Sequence, residues 1–406
     1  MRLAHKIALH HIFSSHDFKY ISFSIKLSII GLMLGVASLN IISSFSQGFK
    51  NSIQEKLTAL DGHLRITSYG VTSGDLSEED INDVVEKLSS IPEILSFQKY
   101  IEHKAMVQKG GISEGLIIYG TTIDAITSVY KIDSMLIEGS TDNFESGIII
   151  GSSLAKLFSV KVGDKLNIID IEKLVGSGEV NGRKYRITGI YKSGFAEYDK
   201  ILAFLPIDKA KEIFNMDGQY SGIICTVNEP ADIENIDEDV IEQIGYYEYL
   251  TTTWRERHHS LYKWLTIYDL PIRIVIFFIT LLALFNISVS LWMTIKEKNS
   301  EIGILRAIGF RKKKIREIFL IEGFYIGATG SILGILLTLI ILFVQDYFHI
   351  ISLSSDIYFI DYLPVHWSIK NILLYPLTAV IISILFSILP SLKSQSINPV
   401  EAINYE

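Results

Sequence analysis

The chain has 406 residues, 49% of them hydrophobic, and carries a net charge of −8 at pH 7. That acidic balance argues against nucleic acid as a partner, because a phosphate backbone demands a basic face. A single cysteine, Cys225, excludes an intrachain disulfide and reads, within "SGIICTV", as a small core hydrophobe in a strand.

Taken in chain order, residues 1–20 read as an amphipathic arm along a membrane surface, with Leu3, Ile7 and Ile12 set among basic positions. Residues 21–47 form the first of four apolar stretches, each near the roughly 20 residues a helix needs to cross a hydrocarbon core. The others are expected at 266–295, 317–344 and 367–390. The first reads as a retained span rather than a cleaved signal, since its apolar run exceeds the usual ~7–15 residues.

Residues 48–265 have globular composition. Residues 49–265 hold 22 Lys+Arg against 34 Asp+Glu, a net of −12, which leaves +4 for the rest. "HLRITSY", "GLIIYG", "KYRITGIY" and "GIICTV" alternate as strands do. "LSEEDINDVVEKLSSI" and "DIENIDEDVIEQIG" read as helices, the first capped by Asp75 or Ser77. The expected fold class is an α-helical membrane protein with four transmembrane helices plus a large α+β extracytoplasmic domain inserted between helices 1 and 2. "GSGEVNG" (176–182) reads as a hairpin loop, because it lacks the Lys-Ser/Thr and the helix of a phosphate loop. His258 and His259 in "ERHHS" point apart on a helix, so no shared metal is expected. "WRERHHSLYKWLTIYDLP" reads as a helix entering the membrane, with Trp254, Tyr262, Trp264 and Tyr268 in an aromatic belt.

The loop at 296–316 holds eight Lys/Arg, the loop at 345–366 holds none, and the arm holds Arg2, Lys6 and Lys19. Basic loops stay cytoplasmic. Both termini, the 296–316 loop and the 391–406 tail are therefore expected inside, and the large domain outside. Within the spans, Gly31/Gly35, Gly323/Gly327 and Gly330/Gly334 are spaced for close helix approach. No run of buried carboxylates crosses the spans, as a proton-coupled carrier would need. In "NSEIGILRAIG" (299–309), Ile302, Leu305 and Ile308 recur at i, i+3, i+6, and Gly309 ends a short helix. Physics alone leaves two readings open: a surface helix in a basic loop, or a docking element for a partner.

Several stretches resemble one family. They are "SIIGLMLGVASLNIISSFSQGF", "IIIGSSLAKLFSVKVGDKLNI", "GIYKSGFAEYDKILAFLPIDKAKEIF", "KEKNSEIGILRAIGFRKKKIREIFLIEGFYIGATGSILGILL", "YFIDYLPV" and "SINPVEAINYE". With the layout of one span, a large external domain and three further spans, they resemble the FtsX/MacB-type permeases of ABC systems. "EYD" and "YLPV" narrow the resemblance to the lipoprotein-releasing (Lol) branch.

The resemblance implies a permease in the inner membrane of a Gram-negative bacterium, with no cofactor of its own. ATP-Mg would be bound by a separate cytoplasmic ATPase. It implies a second permease subunit, identical or related, a lipoprotein substrate, membrane lipid around the spans and a periplasmic carrier. Glu301, Ile302, Leu305, Arg306, Ile308 and Gly309 would couple to the ATPase, the apolar three filling its groove. Met33, Phe45, Phe49, Leu270 and Phe277 would line a substrate cavity. The hairpin at 170–183, with Asp170, Leu174, Val175, Val180 and Arg183, would meet the carrier, although it lacks the prolines of the family's hook. No catalytic or metal residues are expected. An efflux permease for peptides or drugs and a mechanotransmitter acting on a cell-wall hydrolase are the alternatives.

Overall fold

The computed structural model describes residues 19–69, 75–173, 182–354 and 358–394. Two compact units emerge. One combines Met1–Lys50, Leu265–Ser352 and Tyr362–Glu406, and the other combines Asn51–Trp264 with Leu353–Asp361.

The first unit is helical. Its elements are α1 (Lys19–Asp61), α2 (Asp269–Glu297), α3 (Asn299–Ala307), α4 (Lys312–Phe348) and α5 (Ile369–Ser394). Among the described residues, four helical stretches are long and apolar enough to cross a membrane: Ser24–Asp61, His259–Glu297, Lys312–Phe348 and Ile369–Leu392. At 43 residues, α1 is about 65 Å long and far exceeds a hydrocarbon core of about 30 Å. Rather than stopping near residue 47, it runs on and enters the second unit.

Each Gly pair in the spans marks a seam, because a side chain there would strike a neighbouring helix. A Cβ on Gly31 would collide with Asn286 of α2, and one on Gly35 would lie 3.1 Å from Ala283. On α4, Gly330 and Gly334 face α1, where a Cβ would sit 3.0 Å from Leu32 and 2.8 Å from Val36. Two turns earlier on α4, Gly323 and Gly327 face Ser387 and Ser383 of α5. Hydroxyls reinforce these approaches. Ser290 donates to the Ser24 carbonyl at 3.0 Å, Ser331 to the Pro376 carbonyl at 3.2 Å, and Ser383 to the Gly323 carbonyl. Small residues let backbones close in where lipid supplies no hydrophobic drive between helices.

The second unit is a ten-stranded mixed sheet with helices on it. Its order runs Tyr249–Thr253, Leu64–Ser68, Gly222–Val227, Ile94–Lys109, Ile112–Thr121, Leu202–Pro206, Ile148–Gly151, Gly182–Tyr191, Leu136–Gly139. Lys165–Asp170 pairs with both Ile94–Lys109 and Gly182–Tyr191. The four alternating runs noted in the sequence are all strands. Ser77 caps Glu78–Leu88 with a capping box, its hydroxyl taken by the Asp80 amide at 3.2 Å. The core is aliphatic and aromatic, with Ile118, Ile150, Phe204 and Ile223 fully buried. Cys225 lies in it too, and burial pushes its thiol up to about 12.

One expectation is corrected here. Trp254 is not part of an interfacial belt. It is 2% exposed in the α+β core, where its Nε1 donates to the Pro230 carbonyl at 3.3 Å. Trp264 and Tyr268 are exposed at the approach to α2, and Tyr262 is half-buried.

Candidate functional site

The elbow between α2 and α4 contains α3. Lys298 ends α2 and directly precedes α3, so the chain folds back without a loop. A glycine-dependent motif closes the other end. Gly309 has φ +99°, its amide donates to the Arg306 carbonyl at 3.1 Å, and the Phe310 amide donates to the Leu305 carbonyl at 3.0 Å. Phe310 then packs on a cluster of Ile295, Ile302, Ile315 and Phe319. This cluster fixes α3 against the feet of both α2 and α4.

That arrangement corrects the expected docking face. Ile302, at 3% exposure, is covered by its own chain and cannot fill a partner's groove. Leu305 and Arg306 are half-buried. Ile308 is 73% exposed, and so is Ile304 at 48%, four residues earlier. Ile304 and Ile308 form the outward apolar face, as i, i+4 neighbours do. The i, i+3, i+6 spacing did not reveal Ile304; the seven-residue step from Ile295 to Ile302 was the missed sign of an internal contact. Glu301 is paired within the chain, accepting from Lys298 Nζ at 2.6 Å.

The expected cavity residues divide in two. Leu270 and Phe277 lie seven residues apart on the exposed face of α2, at 66% and 62% exposure, while Met33, Phe45 and Phe49 are half-buried on α1. Nearby, Lys50 of α1 forms an ion pair with Asp269 at the start of α2. Two stretches of the resemblance also meet: Gly48 lies so close to the Pro364 carbonyl that a side chain would collide, and the Ser44 hydroxyl donates to the His366 carbonyl at 2.7 Å.

Of the hairpin residues, Leu174, Val175 and Val180 lie outside the described residues. Asp170 is not a contact residue. It is 3% exposed, and its Oδ1 accepts the Glu172 and Lys173 amides at 2.9 and 3.4 Å, so it shapes the turn. Arg183 is exposed and paired with Glu212.

Comparison with known proteins adds to this geometry. The MacB-like periplasmic core domain matches residues 27–243, more than half of the chain, and the FtsX-like permease C-terminal domain matches residues 273–399. The chain belongs to the FtsX/MacB-type permease family. It is 24% identical to the lipoprotein-releasing system transmembrane protein LolC of Xylella fastidiosa (strain Temecula1 / ATCC 700964), over 95% of each chain. It is 25% identical to the corresponding LolE of Haemophilus influenzae, over 93% of this chain and 94% of that one. Among solved structures it is similar to the periplasmic region of MacB from Actinobacillus actinomycetemcomitans, at 13% identity and a TM-score of 0.34, over 52% of this chain and 97% of that one.

The permease also holds a charged node that the sequence did not disclose. Asp61, the last residue of α1, is paired with Arg65, accepts from Arg257 Nε at 2.6 Å and lies 3.1 Å from His258 Nε2. Arg65 is also paired with Glu102, and its guanidinium lies 4.7 and 4.9 Å from the ring centroids of Tyr100 and Tyr119. His258 Nδ1 is 2.9 Å from the Tyr198 hydroxyl. Two carboxylates thus balance two guanidinium groups. Beside them lies a cleft of about 320 Å³ lined in part by Leu60, Ile117, Tyr119, Tyr198 and Arg257. Pairing of this kind is costly to break from one side, because the remaining charge stays buried. Asp61 and Arg257 lie 196 residues apart, which no local pattern signals.

Proposed function

We propose that this permease is the membrane subunit of an ABC transporter that extracts lipoproteins from the outer leaflet of the inner membrane. It passes them to a periplasmic carrier. The observation that carries this reading is the similarity to LolC and LolE over nearly the whole chain, spans and outer domain alike. Both termini and the 296–316 loop face the cytoplasm, and the α+β unit faces the periplasm. Two permease subunits, identical or related, face each other, and acylated substrate enters from the bilayer past Met33, Phe45, Phe49, Leu270 and Phe277. The 170–183 hairpin meets the carrier.

Drawing an acyl chain out of lipid costs about 0.8 kcal/mol per methylene, so the release needs an outside energy source. A separate ATPase, holding ATP-Mg, docks on α3. Ile304 and Ile308 are the apolar anchors, and Arg306 lies beside them. The Ile295–Ile302–Ile315–Phe319 cluster supports the assignment, because a push on α3 would reach α2 and α4 through packed side chains. Replacing Ile308 with Asp is expected to lower copurification of the ATPase at least tenfold while the permease still inserts and purifies. Wild-type recovery of the ATPase would refute the docking face. For the transport reading itself, the protein is depleted in its host and acylated lipoproteins are followed across separated membranes. Early accumulation in the inner membrane supports release; normal sorting rejects it.

A further inference from the structure

Residues 193–199, "SGFAEYD", resemble the family, and neither the docking face nor the cavity uses them. Their surroundings give them a task. The chain passes between the two units at four places, after Lys50, Trp264, Ser352 and Asp361. Parts of all these passages that lie inside the α+β unit converge on 193–199.

The connection between α4 and α5 arrives through Phe359. Its ring stacks on Phe195 with centroids 4.5 Å apart and planes 26° apart. Phe359 has φ +65°, a conformation an aromatic residue holds only when its surroundings fix it. Gly194 is part of that fixing, since a Cβ there would lie 2.6 Å from the Phe359 carbonyl oxygen. The same oxygen accepts from Lys56 Nζ on α1 at 2.7 Å, which brings in the first passage. Phe195 is 2% exposed and meets Tyr198 edge-on at 5.6 Å. The Tyr198 hydroxyl reaches His258, directly before the His259–Ile267 helix that leads toward α2, and His258 reaches Asp61 at the end of α1.

Asp199 gives the segment its own shape. Its carboxylate accepts the Ser193 amide at 2.9 Å, the Ser193 hydroxyl at 2.6 Å and the Ser152 hydroxyl at 3.2 Å. Ser152 opens the helix that follows strand Ile148–Gly151, so the segment is anchored to the sheet.

We propose that 193–199 is a mechanical joint: it gathers the end of α1, the lead into α2 and the α4–α5 connection into one body with the sheet, so that the outer domain moves when the membrane helices move. A stacked aromatic pair, a hydroxyl–imidazole bond and an ion pair in series resist displacement from several directions, as a joint must. The transmission step rests on the proposed transport reading; the joint itself does not.

Amide hydrogen exchange on the full chain in lipid nanodiscs tests the joint. In Phe359→Ala, exchange is expected to quicken at least tenfold at Asp199, Lys200, Ile201 and His258, as well as near position 359. Quickening confined to 358–361 would overturn the proposal. Phe359→Leu keeps the apolar bulk, should show the same pattern more weakly, and covers the case in which the alanine variant fails to fold. Transmission is then tested in the permease–ATPase complex with Phe195→Cys/Phe359→Cys. In a Cys225→Ala background these two are the chain's only thiols. ATP hydrolysis should persist while release of an acylated lipoprotein falls at least tenfold. A short, cleavable, bifunctional thiol-reactive crosslinker should restore release, and cleavage should abolish it again. Release that ignores the crosslink would overturn transmission. If the wild-type complex releases nothing, the transport reading fails, and the exchange experiment still decides the joint.

Discussion

In the α+β unit the buried positions are filled by Ile, Leu, Val and Phe, whereas in the helical unit the closest contacts are made by Gly and Ser. The difference follows from the solvent. In water, each buried aliphatic side chain contributes roughly 1.5–3 kcal/mol by leaving the aqueous phase, so large side chains stabilise the sheet core. In lipid that gain disappears, and what remains is close approach and hydrogen bonding, which small residues serve best. The outward face of α2 completes the contrast: Leu270, Phe277, Leu282 and Phe285 are each more than 60% exposed, a state the sheet unit could not tolerate over such a length in water.

The largest expected effect that bears on this contrast is in the sheet. Phe204 is fully buried among Tyr119, Tyr130 and Tyr191. Phe204→Ala should cost about 3–5 kcal/mol, read as a lowered denaturant midpoint by the fluorescence of Trp254 and its neighbours in the full-length protein. A cost under about 1 kcal/mol would remove the claim that bulk sustains this unit. In the helical unit the opposite change should hurt. Gly334→Ile drives a side chain into Val36 and the Met33 backbone and should destabilise by about 3 kcal/mol, seen as loss of the monodisperse peak in mild detergent. If the variant purifies with wild-type thermal stability, the α1–α4 seam is not set by glycine.

Acid separates the units further. Burial, with the charge of Lys131 adding to it, pulls the His63 imidazole down to about 4, and its Nδ1 accepts the Val227 amide at 2.8 Å, which requires the neutral ring. The unfolded chain therefore binds this proton more readily than the folded one between about pH 6.5 and 4. His63 should stabilise the α+β unit fully above pH 6.5 and lose that contribution as pH falls toward 4, by about 2 kcal/mol after allowance for its partial exposure. His63→Asn should flatten the decline in melting temperature over that window; an unchanged slope would assign the acid sensitivity elsewhere. The smallest effect is expected for Ser383→Ala, which removes the hydrogen bond to the Gly323 carbonyl across α4 and α5 but opens no clash. A loss of about 0.6 kcal/mol in a detergent-unfolding titration would match an ordinary interhelical bond in a membrane, and more than about 2 kcal/mol would mean that this seam depends on the hydroxyl rather than on the glycine.

Several features were legible in residue order because they depend on near neighbours. The strands announced themselves by alternation, as in "KYRITGIY", since successive side chains face opposite sides of a sheet. The cap of the Glu78–Leu88 helix was readable as Asp75 or Ser77, of which the structure selects Ser77, and Gly309 was readable as a helix end. All three Gly pairs marked seams, but the spacing alone gave no hint that Gly323/Gly327 face α5 while Gly330/Gly334, two turns on, face α1. The apolar spacing in α3 divides: Ile308 points outward, while Ile302 turns inward because α2 and α4 return to the same place and cover it.

By itself, then, the sequence determined the four apolar helices, the acidic α+β segment between the first two in chain order, and the short helix after the second, because length, periodicity and charge act over one or two turns of chain. Tertiary structure alone decided that Trp254 belongs to the sheet core rather than an interface, that Asp61 meets Arg257 and His258, and that Phe359 lies on Phe195. The contacts of Asp61 and of Phe359 join residues between about 160 and 200 positions apart, a separation over which residue order carries no local signal.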